Sequence, residues 1–277
     1  MISRYYTGLS DVNLAKDVIA KQPDLYIQNF EVIDTAVLDD TVAGANVLTF
    51  TGYTFTVDGY VSTSANNLLL VDDDGEVCTC LIDDNDATTI TFDEATLLKE
   101  NDGTTAASLT NGATYNVAIL TPSDTSEYGR FIGYTEGMEL ALTEEYMQFF
   151  YNIPRKKKFQ DLMSRNGTVS GGTVNFDNED VFSAVFNSDT YGSQTGQWSH
   201  GIGSDPDTNK YYRFTFVGPD RSGRDVIIRI RKLQLSLNGN LFSKAESGHF
   251  MLPFTGDVLS DEFYPDIADM MQVIRKD

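Results

Sequence analysis

Apolar side chains recur at every second position along most of this chain, and that period constrains the fold more than any other feature. Two such runs, residues 212–216 and 226–230, flank a turn-rich Gly-Pro-Asp-Arg-Ser-Gly stretch. Alternation of this kind is typical of strands that bury one face, and two runs around a turn indicate a hairpin. The parity changes after Arg231 and Lys232, which predicts a bulge in a long strand. We therefore expect a mainly β protein.

Charge is divided unevenly along the 277 residues. Residues 31–127 contain 18 acidic side chains and one basic side chain, Lys99, whereas the rest of the chain contains 23 and 19. The same segment has its own short apolar runs, such as Leu68–Val71, and they are separated by turns rich in Asp and Asn. We predict that residues 31–127 form a small acidic β domain, inserted into a larger domain built from residues 1–30 and 128–277.

One short helix is expected to interrupt the strands of the larger domain. Asp177 and Asp180 occupy the positions of an N-cap and an acidic first turn, and apolar residues follow up to Phe186. Before this helix, Asn-Gly at 166–167 indicates a turn. After it, residues 187–209 are rich in Gly, Ser and Asp, which predicts a long loop.

Catalytic chemistry has little support in the sequence. The two histidines, His200 and His249, are not spaced with a second histidine or a cysteine as metal ligands are. No nucleophile, base and orienting group can be assembled, so we expect neither an enzyme nor a cofactor. Acidic turns at 72–76, 83–86 and 205–210 could offer oxygen ligands to calcium, but they lack the EF-hand spacing. We interpret them as solvated turns, with a calcium site as the alternative.

Composition also narrows the choice of partners. The chain has 41 acidic and only 20 basic residues, which disfavours a free-standing nucleic-acid binder, because such a protein needs clustered Lys and Arg. No apolar run approaches the roughly 20 residues that a helix needs to span a bilayer, so we expect no membrane contact. Cys78 and Cys80 are two positions apart in a predicted strand, where a disulfide between them would be strained. We expect reduced thiols, as in a cytosol.

A run of four basic residues is conspicuous in so acidic a chain. It follows an Ile-Pro break that ends the preceding aromatic-rich run. We interpret it as a patch that contacts an acidic surface of a sister subunit, with a solvated strand face as the alternative. Arg229 and Arg231 share one face of the long strand near the C-terminus, where a solvated face is an equal alternative. The predicted subunit-contact residues are Ile153, Pro154, Arg155, Lys156, Lys157, Lys158, Arg229 and Arg231.

The region after Phe131 resembles a known family. Glu-Gly-Met-Glu-Leu at 136–140 is followed by Glu-Glu-Tyr-Met-Gln-Phe-Phe-Tyr-Asn-Ile-Pro at 144–154 and by the basic strand. Thr-Val-Ser-Gly-Gly-Thr-Val-Asn-Phe at 168–176, the short helix, the long hairpin and a closing strand near 250–254 complete the order. This order resembles that of the major tail tube proteins of long-tailed bacteriophages.

The resemblance implies a β-sandwich with one short helix, to which the acidic segment adds the inserted domain. It implies hexameric rings, an inner β barrel closed by strands of all six subunits, and stacking of the rings into a tube. The expected location is the tail of the virion, after assembly in the host cytoplasm. Expected partners are further copies of the chain and other tail proteins, while DNA passes through the lumen without specific binding.

Two alternatives stay open at the level of the sequence. One is another structural component of the same kind of virion, such as a tail terminator or a head decoration protein. The other is a calcium-dependent carbohydrate-binding or adhesion module, which the β-rich, acidic composition also fits.

Overall fold

The computed structural model covers most of the chain in segments, and all structural features refer to these residues. The described residues are 24–39, 46–61, 67–100, 103–121, 128–132, 135–150, 157–173, 184–185, 190–194, 197–200, 210–219, 224–237, 243–244, 250–261, 263–264 and 270–275.

The described chain is mainly β, which confirms the prediction from the alternating pattern. The first nine strands are β1 (Asp24–Asp39), β2 (Asn46–Phe50), β3 (Leu68–Val71), β4 (Val77–Cys80), β5 (Ile82–Asn85), β6 (Thr89–Phe92), β7 (Leu98–Lys99), β8 (Thr114–Thr121) and β9 (Arg130–Phe131). The other nine are β10 (Thr135–Phe150), β11 (Lys157–Thr173), β12 (Thr190–Gln194), β13 (Gln197–His200), β14 (Tyr212–Pro219), β15 (Asp225–Leu237), β16 (Ser243–Lys244), β17 (Phe250–Val258) and β18 (Met271–Arg275).

Helical structure is sparse in the described residues. One turn of 3-10 helix, Glu94–Thr96, follows Asp93, whose carboxylate accepts a hydrogen bond from the Ala95 amide at 2.9 Å. Such a cap satisfies an amide that has no partner inside the turn. The predicted helix near 177–186 lies mostly outside the described residues. Two residues of that range, Ala184 and Val185, are described, and both are helical. None of the helices in this part of the chain is long and apolar enough to cross a bilayer.

Sixteen of the strands form one sheet, and β12 and β13 pair with each other in a second one. The main path runs β10-β11-β17-β15-β14-β1-β8-β3-β4-β7, and the remaining strands pair beside it. The described sheet is therefore an open, sandwich-like structure with β10 and β7 at the ends of its path.

Strand β1 connects the two predicted domains. Its first part pairs with β14, from Asp24↔Val217 to Asn29↔Tyr212, and its second part pairs with β8. A bulge between Val32 and Asp34 shifts the register along the way. The predicted boundary at residues 30 and 31 therefore falls in the middle of one 16-residue strand.

Three groups of buried apolar side chains fill the interior. The first lies in the larger unit, around Phe214 and Phe254, and the second lies in the acidic segment, around Phe92. The third joins the two units, because Phe30, Phe263 and Tyr264 pack with side chains from 69–120. Its members are Phe30, Leu69, Val77, Ala118, Leu120, Phe263 and Tyr264. The acidic segment is thus packed against the larger unit by apolar contact.

The long hairpin and its bulge are as predicted. β14 pairs with β15 from Pro219↔Asp225 inward, and the register shifts between Tyr212 and Phe214. The predicted turn at 166–167 is wrong, because both residues lie inside β11. A Cβ on Gly167 would lie 2.9 Å from the Cβ of Val258, so this glycine permits close approach of β17.

Candidate functional site

A two-stranded ribbon projects beyond the body of the sheet. β11 pairs with β10 along its whole length, but β17 covers only its last seven residues, Gly167–Thr173. Residues 157–166 therefore have β10 as their only strand partner among the described residues. We call residues 143–150 and 157–166 the ribbon; at about 3.3 Å per residue it is about 25 Å long.

Exposure at the base of the ribbon agrees with this geometry. Ala141, Leu142 and Thr143 are exposed in succession, and the Leu142 side chain is 45% accessible. Consecutive strand residues point to opposite faces, so both faces of β10 are open at this point. A two-stranded ribbon is at best marginally stable alone in water, and a partner that covers it would stabilise it.

The basic run lies at the far end of the ribbon. Lys157 and Lys158 begin β11, and Lys157 pairs with Phe150 through the backbone. Ile153, Pro154, Arg155 and Lys156 lie outside the described residues. The proposed role of this run in a subunit contact stays a prediction.

Arg229 and Arg231 lie in the interior of the protein. Both side chains are buried, and each lies near the carboxylate of Glu100, from the acidic segment. The solvated-face alternative for these two residues is therefore wrong. Because Glu100 already occupies them within the same subunit, we do not carry them forward as subunit contacts.

The resulting Glu100 cluster consists of Glu100, Arg213, Arg229 and Arg231. The closest ion pair joins Arg213 Nη2 to Glu100 Oε1 at 2.6 Å. Arg231 Nη2 lies 3.1 Å from Oε2, and Arg229 Nη1 lies 3.8 Å from Oε1 and donates a hydrogen bond to the Glu100 carbonyl at 3.2 Å. The guanidinium groups attract the carboxylate mainly by their charge, and a side-chain hydrogen bond from Arg213 adds to this attraction.

The electrostatics of Glu100 follow from these distances. Burial alone would raise the pKa of the carboxyl, but the charges of Arg213, Arg231 and Arg229 outweigh it and lower the pKa to about 2. The Arg231 guanidinium also lies 4.3 Å from the ring centroid of Tyr264. The cluster therefore fixes the acidic segment to the β14–β15 hairpin by charge, beside the apolar contact.

We call the contact between the acidic segment and the larger unit the seam. An open cleft of about 940 Å³ lies beside it. One wall is formed by residues 29–32, 34 and 35 of β1 together with Asn116. The other wall includes Lys210, Lys232 and Asp261 from the larger unit. Lys232 forms an ion pair with Asp261, and its ammonium lies 4.2 Å from the ring centroid of Tyr211.

The acidic turn at 72–76 already holds a cation that belongs to the chain. The Lys99 ammonium lies 2.7 Å from Glu76, 2.8 Å from Asp74 and 3.7 Å from Asp72. Hydrogen bonds from Lys99 to Asp74 and Glu76 raise its pKa, despite the opposing effect of burial. Among the described residues, no group of three or more acidic, cysteine or histidine side chains is arranged to hold a metal ion. The turn at 205–210 lies largely outside them.

Sequence reasoning missed Glu100, Arg213 and the cleft wall. Glu100 follows Lys99 in a segment where acidic residues are abundant, so nothing in the local pattern distinguishes it. Its partners are more than 100 positions away. Comparison of the chain with protein-family models and with curated proteins finds no match.

Proposed function

We propose that this protein is a structural virion protein, a tail tube subunit that assembles into stacked, hexameric rings around a passage for phage DNA. The observation that carries the proposal is the ribbon: two long strands that leave the body of an open sheet and end at a basic run. The resemblance of the element order in residues 131–254 to that of major tail tube proteins supports the choice of family.

Exposed strand edges support self-association. A monomeric protein normally shortens, covers or charges its edge strands, since an open edge pairs with other chains. β10 is 16 residues long and pairs only with β11 in the described part of the chain. In a ring with cyclic symmetry, each subunit meets its neighbour through two different surfaces, so an open edge and a projecting ribbon can be satisfied around the whole ring.

Charge supports the role of a conduit. A formal net charge of −21 gives the assembled protein a negative field that disfavours adhesion of DNA. A tube that DNA must traverse benefits from weak binding, because bound phosphates would slow passage. The same charge makes a single chain soluble, so the protein is expected to need a specific contact rather than general attraction in order to associate.

Electron microscopy of the purified protein tests the proposal. Negative-stain images across a concentration series, with light scattering on the same samples, should show six-fold rings or regular tubes. The triple variant Lys156→Glu, Lys157→Glu, Lys158→Glu should keep its circular dichroism spectrum and lose rings and tubes. The matched variant with arginine at these three positions keeps the charge and should assemble.

One result would contradict the proposal, and another would contradict only the role of the basic run. A wild-type chain that stays monomeric at every concentration contradicts the assembly itself. Normal tubes from the glutamate variant would leave assembly standing and remove the basic run from the contact.

A further inference from the structure

One stretch of β1 has an open edge inside the cleft. On the side of β1 that faces β14 and β2, Phe30 donates its amide hydrogen to the Tyr211 carbonyl at 2.8 Å, and pairing resumes at Ala36↔Phe50. Between these points, residues 31–35 have no strand partner on that side in the described chain. Val32 lies in this gap and is 47% exposed.

Two carboxylates accompany the open edge. Glu31 accepts a hydrogen bond from the Tyr53 hydroxyl at 2.9 Å, and Asp34 accepts one from the Thr35 amide at 2.7 Å. Neither carboxylate has a cationic partner among the described residues. Of the two lysines in the opposite wall, Lys210 and Lys232, the second is already paired with Asp261. Among the described residues, this wall of the cleft therefore carries negative charge that no cation of the chain neutralises.

The most concentrated positive charge in the sequence is the basic run at residues 155–158. The described basic side chains near the seam contact carboxylates of their own subunit, as Lys99, Arg213 and Lys232 do. Residues 155–158 add four consecutive positive charges at the end of a ribbon that leaves the body of the molecule. A ribbon about 25 Å long can bring that end to a neighbouring copy.

We propose that the cleft receives the basic run of a second copy, with Lys and Arg of residues 155–158 against Glu31 and Asp34. This inference rests on the proposed self-assembly and names the surfaces that meet. The recognition is electrostatic at the rim and apolar at Val32, a combination that gives a contact both its register and its partner choice.

A zero-length carbodiimide coupling tests which surfaces meet. The reagent joins a lysine amine to a carboxylate only when the two are in contact. Rings or tubes assembled from a mixture of isotope-labelled and unlabelled chains should yield mixed-label peptides that link Lys156, Lys157 or Lys158 to Glu31 or Asp34. Assembled protein whose mixed-label links join other sites would overturn the inference.

Charge removal at the cleft gives a second test. The variant Glu31→Gln, Asp34→Asn keeps both hydrogen-bond acceptors, so the fold should be retained, and loss of two charge pairs should raise the concentration needed for assembly about tenfold. The control variant Asp83→Asn, Asp84→Asn makes the same change of charge on exposed residues away from the cleft and should leave that concentration unchanged.

The outcomes separate the two proposals. Unchanged assembly of the cleft variant overturns the docking inference and leaves the tube proposal intact. A wild-type chain that forms neither rings nor tubes overturns both. Equal weakening by the cleft and control variants assigns the effect to total charge and also overturns the docking inference.

Discussion

Replacement of Glu100 by glutamine should destabilise the protein strongly, although it alters the shape of the side chain very little. The Glu100 side chain is 1% exposed and lies among three arginines, at 2.6, 3.1 and 3.8 Å. Glutamine removes the negative charge and leaves the positive charges buried. Breaking a buried pair by removing one partner costs about 3–5 kcal/mol, because the remaining charge loses its compensation.

The pKa of Glu100 gives a similar magnitude by a separate route. The pKa falls from 4.5 to about 2 on folding. Since one pKa unit corresponds to about 1.4 kcal/mol, the charged carboxylate contributes about 3 kcal/mol to the free energy of unfolding at neutral pH. That is a large share of the roughly 5–15 kcal/mol by which a typical domain is stable.

Urea unfolding followed by circular dichroism measures this loss. The Glu100→Gln variant should be about 3 kcal/mol less stable than the wild type at pH 7. The control Glu94→Gln changes an exposed carboxylate six positions earlier and should stay within about 0.5 kcal/mol of the wild type. Because the folded pKa is lowered, the contribution is complete above pH 4.5 and is lost as pH falls toward 2. The gap between the wild type and Glu100→Gln should narrow over that range.

Two results would refute the reasoning. A Glu100→Gln variant within 1 kcal/mol of the wild type at pH 7 would show that Coulombic attraction to the arginines does not exceed the cost of burial. A gap that stays constant from pH 7 to pH 3 would show that the loss comes from packing rather than from charge.

Two further predictions concern the backbone and the thiols. Gly129→Ala should lower the free energy of unfolding by at least about 3 kcal/mol, because φ is +98° and the new Cβ would lie 2.1 Å from Gln28 Cγ. The control Gly112→Ala, with φ +78° and open space around it, should lower it by about 1 kcal/mol. Similar losses for the two variants in urea unfolding would contradict the argument. Cys78 and Cys80 should react with a thiol reagent such as DTNB only after denaturation, because both side chains are buried. Burial, together with the nearby Asp72, also raises the pKa of Cys78 to about 12. Rapid modification of the native protein would contradict this prediction.

The β14–β15 hairpin was predictable because its apolar side chains alternate with polar ones such as Arg213 and Thr215, although both faces are buried. Phe214 and Ile230 are nearly or fully buried, and their spacing along each strand repeats that environment every second residue. The bulge was also predictable, since an extra residue must reverse the parity of every apolar position that follows.

Strand β1 could not be read in this way because its apolar residues change parity, from Leu25 and Ile27 to Phe30 and Val32. Leu25 and Ile27 enter the apolar core, while Gln28 on the opposite face is fully buried as well. The bulge near Ile33 then breaks what alternation is left. The change in charge composition at residue 31 falls within a continuous strand. It lies near the point where the strand partner of β1 changes from β14 to β8, and not at the end of a strand.

The Glu100 cluster shows why charge counting alone could not identify the seam. A carboxylate in an acidic segment is normally solvated, and its burial depends on arginines that reach it only through the tertiary fold. Arg213, Arg229 and Arg231 alternate with apolar residues, and that pattern describes a strand with one polar face whether the face meets water or protein. The alternation of apolar and polar residues predicts which side chains share a face of the strand. It does not predict whether water or protein covers that face.

The position of Glu100 also bears on what the acidic segment does. A segment that only decorates the surface would leave the larger unit complete, but here it contributes half of β1, several side chains of the shared apolar group and the carboxylate between three arginines. Removal of residues 35–123 would uncover Arg213, Arg229 and Arg231 at once. Burial of those three charges is tolerated because Glu100 lies among them, so the orientation of the acidic segment is tied to the stability of the hairpin beneath it. The ion pairs and the shared apolar group thus hold the acidic segment and the larger unit together beside the cleft.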